Sequence, residues 1–394
     1  MNDFQHPEVA DAKDISSKRI DVRGRAAVFV DFAKRLKRVD PDVKIIGTVW
    51  TPPEWMKLSR KTGSGRPRGQ NSAITAQDYR KDGQNRVDPA KYAHFVQWLV
   101  AVAQYHKEQG IPFHGLSLAN EPRFSQWYGS CVWTGGDYAK ALGLLGEAMQ
   151  KAGLGDVLLF GPEDMTGHLH DQGTKGMIEA ILRDPKAKAQ LDVFATHGYE
   201  DGVKADMSEN SSRRFWEFVK SEGKPYWVTE GGTGSHDWPK PVVQGVALAA
   251  HNALAAGNAS AFVPWQVSED EPSTHALAVR DRCTPKTYAL MPFSRSIAPG
   301  SRRIDAAPGF GDVSASAYLH PRTGHLAIVL INSAAEPRAV ELALSNVGPL
   351  SSLTVHRTTA DEGFKNVGAL AVAGGAARLE LPAHSVVSLV RPGR

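Results

Sequence analysis

The sequence predicts an α/β fold built on a parallel sheet with helical crossovers, followed by a small antiparallel β-sandwich. Three observations carry this reading. From about residue 23 to 293, short β-rich runs alternate with amphipathic helical segments, the pattern of strand–helix–strand units. The β-rich runs are continuously apolar rather than alternating, as strands buried on both faces must be. After residue 294 the runs become short, partly alternating and separated by turn residues, which suits an antiparallel sandwich. The expected domains are 1–293 and 294–394.

Residues 1–22 hold no pair of runs fit to be buried strands, and RAAVFVDFAKRLKRV (25–39) fits a helix, with Phe29, Ala33 and Leu36 on one face. Six strands are then expected: VKIIGTVW (43–50), FHGLSLAN (113–120), VLLFGPE (157–163), LDVFATHGY (191–199), PYWVTEGG (225–232) and ASAFVPWQV (259–267). The longest helix between them opens with Asp88 as cap and Pro89 in its first turn, carries Tyr92, Val96, Leu99 and Ala103 on one face, and stops at Gly110. Further helices are expected near 137–152, 174–184, 211–222 and 240–256. SRSIAPGSRRIDA (294–306) reads as a connector broken by Pro and Gly. Six strand-like segments follow it, from VSASAYLH (313–320) to SVVSLVR (385–391).

Composition narrows the function. The net charge of +4 comes from 46 basic and 42 acidic residues scattered along the chain, a solvated surface rather than a nucleic-acid footprint. No stretch is long and apolar enough to span a membrane, and the polar, acidic opening MNDFQHPEVADAKD is unlike a secretory signal peptide. Two cysteines, Cys131 and Cys283, define no disulfide framework, though a single bridge between them is open. No residues have metal-ligand spacing, so neither metal nor other cofactor is expected. No Gly-x-Ser-x-Gly elbow supports an acyl hydrolase.

The strand ends carry the chemistry. The carboxyl ends of parallel strands hold the active site in a barrel, and these strands end in Trp50, Asn120-Glu121, Glu163, His197 with Tyr199, and Glu230, with Trp265-Gln266 following the sixth. Two carboxylates on separate strands suffice to cleave a glycosidic bond, one as acid and one as nucleophile or base. Asn120 suits a sugar hydroxyl, and Trp50, Trp127 and Trp265 offer flat faces for pyranose rings. Glu163 reads equally as a ligand contact or as a bond to a neighbouring strand. Asp164 and Asp201 read as loop-stabilising, Trp98 and Trp216 as helix packing, and Trp55 as either loop packing or sugar contact. Trp133, with Trp127, reads as a candidate binding wall.

VWTPPEWMK (49–57), LSLANEP (116–122) and YWVTEGG (226–232), with the connector and the closing LPAHSVVSLV (381–390), resemble glycoside hydrolase family 30 of clan A in order and spacing. The resemblance implies a TIM-type (β/α)8 barrel fused to a β-sandwich, and hydrolysis of β-glycosides with retention. It implies Glu121 as acid/base, Glu230 as nucleophile, Asn120 orienting the 2-hydroxyl, and His197, Tyr199, Trp50 and Trp265 lining the sugar subsite. It further implies a secreted or periplasmic enzyme with a carbohydrate partner such as xylan, β-1,6-glucan or β-1,6-galactan; oligomeric state is not read. The alternative is a carbohydrate-binding remnant with weak or no turnover.

The sequence departs from the family in two places. Barrel strands one and two, and the arginine that relatives place at the end of strand two, have no counterpart. The expectation is a truncated product or a late start, with unpaired edges on the flanking strands; an upstream reading frame encoding two strands and a signal peptide would bear it out. The loop QVSEDEPSTHAL (266–277) is acidic where glucuronate-recognising xylanases of the family carry arginine and tyrosine, so that specificity is not expected.

Overall fold

The computed structural model describes residues 8–70, 72–73, 84–167, 169, 173–199, 210–232, 234–240, 242–269, 274–307 and 311–393; Asp201 lies outside them. All six expected strands form: β1 (Ile46–Thr48), β2 (Gly115–Ser117), β3 (Leu158–Met165), β4 (Val193–Gly198), β5 (Tyr226–Gly231) and β6 (Ala261–Pro264). They make one sheet in chain order, β1-β2-β3-β4-β5-β6. β1 runs parallel to β2, with Ile46 opposite Gly115, and β2 parallel to β3, with Gly115 opposite Leu158. The inner strands β2 and β4 are buried throughout, as their unbroken apolar runs require. β1 and β6 are the edge strands among the described residues, and both are mostly half-buried.

The chain divides into two compact units, Met1–Thr196 with Glu222–Trp227, and His197–Ser221 with Val228–Arg394. In the first, residues 25–39 are a helix, α1 (Arg25–Val39). Its buried side is Ala26, Val30 and Ala33, while Phe29, expected inward, is 56% exposed. α2 (Tyr92–Glu108) starts as the sequence predicts: the Asp88 carboxylate accepts from the Ala90 N–H, Pro89 opens a 3-10 turn, and Gly110 follows the helix at φ +75°. Tyr92, Val96, Leu99 and Ala103 are buried, and so is Trp98. α3 (Gly135–Lys151) packs against α2, α4 (Thr174–Arg183) and α5 (Pro185–Gln190). Trp55 packs the loop: its indole N–H donates to the Val9 carbonyl at 2.7 Å and the Lys91 ammonium lies 5.5 Å over its ring. Trp133 is not a binding wall, because it is 3% exposed among Tyr92, Phe95 and Tyr138.

In the second unit, α6 (Ser211–Val219) is capped by the Asn210 side chain, and Trp216 is half-buried on it. Residues 242–256 form one helical stretch, α-helical only at Leu248–His251 and π-helical on either side. It packs with α7 (Pro285–Ser294) on Val329, Ile331 and Val386. Those residues belong to an antiparallel sheet of β7 (Arg302–Ile304), β8 (Val313–Leu319), β9 (Leu326–Asn332), β11 (Ser352–Thr358), β12 (Lys365–Ala371) and β14 (Ser385–Arg391), ordered β7-β8-β9-β14-β11-β12. β10 (Arg338–Ala343) and β13 (Ala376–Leu381) pair antiparallel, and Leu342, Ala377 and Leu381 share a core with Ile328, Leu330 and Leu389. The connector is less irregular than expected, since Arg302–Ile304 is a strand. β12 escapes the sequence because it is exposed along nearly its whole length and shows no apolar face. Cys131 is buried and Cys283 exposed, both free. Among the described residues no helix is long and apolar enough to cross a membrane.

Candidate functional site

The first unit places Asn120 and Glu121 directly after β2. The strand proper ends at Ser117, but the Asn120 N–H still donates to the Val49 carbonyl at 2.7 Å, so the chain stays pinned to β1's continuation. Glu121 then turns to φ +42°, a left-handed backbone uncommon for a side chain of its size. Its N–H donates to the Glu163 carbonyl at 3.2 Å, and Glu163 is itself left-handed at φ +58°. Pro122, with no N–H to give, ends the pairing. Glu121 is 6% exposed, and the Gln126 side-chain amide donates to its Oε2 at 2.7 Å. Asn120 is 3% exposed, and its Oδ1 has no hydrogen-bond partner among the described residues. A buried acceptor left without a donor is costly, so it marks a place where a ligand hydroxyl would be welcome.

Glu163 makes the bond to another strand that its sequence allowed: the Thr48 hydroxyl of β1 donates to its carboxylate at 3.0 Å. Asp164 holds a loop, accepting from the Arg123 guanidinium at 2.6 Å and the Thr174 hydroxyl at 3.1 Å. Trp50 and Trp127 are both half-buried, and Tyr128 stands beside each, with ring centroids 5.7 and 5.3 Å away. The Arg68 guanidinium lies 5.7 Å from the centroid of the Trp127 ring.

The loop that carries these aromatics rests on a buried ammonium. Lys57 is fully buried and donates to the Ser130 and Thr62 carbonyls at 2.7 and 2.8 Å and to the Thr51 hydroxyl at 3.2 Å. Burial pushes its pKa down to about 8 and lifts the neighbouring Cys131 thiol to about 11. Gly63 is obligatory here, because a Cβ would lie 2.4 Å from the Tyr128 carbonyl oxygen.

The second unit places His197, Tyr199, Glu230 and Trp265. Glu230 sits inside β5, one residue before its end, and is 7% exposed. The Tyr199 phenol donates to its Oε2 at 2.7 Å, and His197 Nδ1 lies 3.4 Å from the same oxygen. His197 is fully buried on β4. Gly231 must lack a side chain, since a Cβ would meet the Gly198 carbonyl at 2.8 Å and the Phe262 ring at 2.7 Å. Trp265 follows β6 and its N–H donates to the Gly231 carbonyl at 2.9 Å. In the acidic loop, Gln266 donates to Glu269.

All eight predicted site residues therefore lie at or just beyond the carboxyl ends of strands in the parallel sheet, or, for Trp127, in the loop after Glu121. Sequence reading missed Gln126, Tyr128 and Lys57. An aromatic pair, Trp127-Tyr128, was the available signal for Tyr128. Nothing local distinguishes Gln126 from a surface glutamine, because its burial is a tertiary fact.

Glucuronoxylanase XynC of Bacillus subtilis (strain 168) is 27% identical over 309 residues, 76% of this chain and 66% of its own length. An endo-1,6-beta-D-glucanase of Neurospora crassa is 26% identical over 143 residues, 36% of this chain and 26% of its own. In fold, the chain resembles the glycoside hydrolase family 30 subfamily 8 xylanase Xyn30A from Clostridium acetobutylicum, with a TM-score of 0.77 at 23% identity over 95% of this chain and 85% of that one. No family model matches the chain. It spans less than two thirds of the length of the curated relatives it matches.

Proposed function

We propose that this chain, which belongs with the glycoside hydrolases of family 30, hydrolyses β-glycosidic bonds of a polysaccharide by double displacement with retention. The observation that carries the reading is the pair of buried glutamates at the carboxyl ends of β2 and β5 of one parallel sheet, each hydrogen-bonded to a neutral side-chain donor. The names of the relatives, a glucuronoxylanase and an endo-1,6-beta-D-glucanase, support a polysaccharide substrate, and the Trp50, Tyr128 and Trp127 rings support sugar stacking. The parallel sheet is read as six strands of a (β/α)8 barrel, the antiparallel layers as its β-sandwich, with domains 1–293 and 294–394. Such an enzyme would act outside the cytoplasm, where its polymer is found.

In the first step Glu121 gives its proton to the glycosidic oxygen as a Glu230 carboxylate oxygen bonds to the anomeric carbon. The electron pair of the breaking C–O bond leaves with that oxygen. In the second step Glu121, now ionised, takes a proton from water; the water oxygen bonds to the anomeric carbon and Glu230 departs as carboxylate. The Tyr199 phenol keeps one Glu230 oxygen oriented and withdraws charge from it, while Asn120 Oδ1 accepts from a substrate hydroxyl.

Reducing-sugar release from β-1,4-xylan, β-1,6-glucan, β-1,6-galactan and aryl β-glycosides tests the reading, with Glu230→Ala as control. Release from at least one, abolished by the substitution, is the expected result. A folded chain that binds these glycans and releases nothing would overturn it.

A further inference from the structure

We propose that Gln126 is a positioning residue for proton transfer by Glu121, held in place by a buried network anchored on Lys57; the inference rests on the glycosidase reading above. Gln126 is 2% exposed, and its amide reaches Glu121 Oε2 at 2.7 Å. Its own backbone is clamped by a single hydroxyl: the Gln126 N–H donates to Ser130 Oγ at 3.0 Å, and Ser130 Oγ donates back to the Gln126 carbonyl at 3.0 Å. The Asn85 side-chain amide donates to Ser130 Oγ and to Ser125 Oγ, both at 3.0 Å. Ser130 in turn receives the Lys57 ammonium on its carbonyl at 2.7 Å. Lys57, Asn85, Ser125, Gln126 and Ser130 are each no more than 2% exposed.

The hydroxyl, amide and ammonium groups of this interior network hold one another in place, and that rigidity passes to the group at its end. Here the end is a carboxyl group on a left-handed backbone residue, immediately before a proline, with no regular strand of its own to hold it. The amide sets the rotation of the Glu121 carboxyl plane, so that the acid proton is aimed rather than free to swing. A neutral donor does this without adding a charge, which leaves the residue able to cycle between acid and base.

The test is leaving-group dependence. A glycan alcohol needs the proton to depart; a 2,4-dinitrophenolate does not. Gln126→Met keeps the volume and removes the amide. Its kcat/KM on the polysaccharide that the unaltered chain cleaves should fall about 30- to 100-fold, part of the roughly 10²–10⁴ that general acid catalysis supplies. On the matching 2,4-dinitrophenyl β-glycoside the loss should be under about threefold, and KM should stay put on both. Ser130→Ala, which releases the clamp and keeps the amide, guards against a folding defect in the first variant and should give the same selective pattern at about tenfold. Equal losses on the two substrates, or no loss on either, overturn the inference alone. No turnover of either substrate by the unaltered chain removes the glycosidase reading and this inference with it.

Discussion

Glu121 follows a three-residue strand, turns into a left-handed backbone and takes its side-chain hydrogen bond from an amide five residues further on. Glu230 lies inside a six-residue strand and takes its bond from Tyr199, just beyond the neighbouring strand β4, with His197 of β4 beside it. One carboxylate is thus positioned by a loop and the polar groups buried under it, the other by the sheet itself. The buried bases of the two regions differ as well. Lys57 has three oxygen acceptors, whereas His251 Nδ1 has no hydrogen-bond partner among the described residues.

The widest separation should come from truncating the two glutamates. Glu230→Ala is expected to cost at least about 10⁴-fold in kcat/KM on every β-glycoside, because the proposed mechanism gives the covalent bond to Glu230 alone. Glu121→Ala should lose about 10²–10⁴-fold on a glycan and far less on a dinitrophenyl glycoside; equal behaviour on both substrates would erase the assigned difference in roles. Lys57→Met comes next. Removing the ammonium strands the Ser130 and Thr62 carbonyls in the interior, at about 1–3 kcal/mol each, so urea unfolding should show a loss of about 4 kcal/mol. A loss below about 1 kcal/mol would mean that the loop does not depend on it.

His251 supplies a pH test on the other side. Burial holds its pKa down to about 4, against about 6.5 in the unfolded chain. Below pH 6.5 the unfolded chain takes up a proton that the native imidazole refuses until about pH 4, so the stability present above 6.5 is lost as the pH falls. The loss is about 3 kcal/mol across that window, and His251→Leu should flatten this part of the stability curve. The smallest effect is expected for Tyr199→Phe. One hydrogen bond to a charged group is worth about 1.5–3 kcal/mol, a roughly 10- to 100-fold fall in kcat with folding stability little changed.

Much of this molecule was legible in its residues. All six parallel strands were, because a strand buried on both faces has to be apolar along its length and these six runs are. The Asp88-Pro89 start of α2 was legible because a cap is a local device. Glu121 and Glu230 stood out because a charged side chain closing an apolar run contradicts its surroundings unless it has work there. The outward face of α1 was not legible: Phe29 and Ala33 fit one helical face, yet it is Val30 that joins Ala33 against Ile111 while Phe29 is exposed. Nor was the burial of Trp133, whose three aromatic neighbours arrive from α2 and α3.

By itself, then, the sequence determined the six strands of the parallel sheet and their order, the Asp88-Pro89 start of α2, and the two carboxylates that follow β2 and lie in β5. Those are consequences of local backbone preference and of the cost of burying charge, which each residue carries wherever it goes. Only the tertiary structure decided that Gln126 meets Glu121, that Lys57 is wholly buried beneath the loop after it, and that Glu163 is engaged by Thr48. Each of these depends on which loop lies over which, and distances set by packing leave no trace in the residue that they make important.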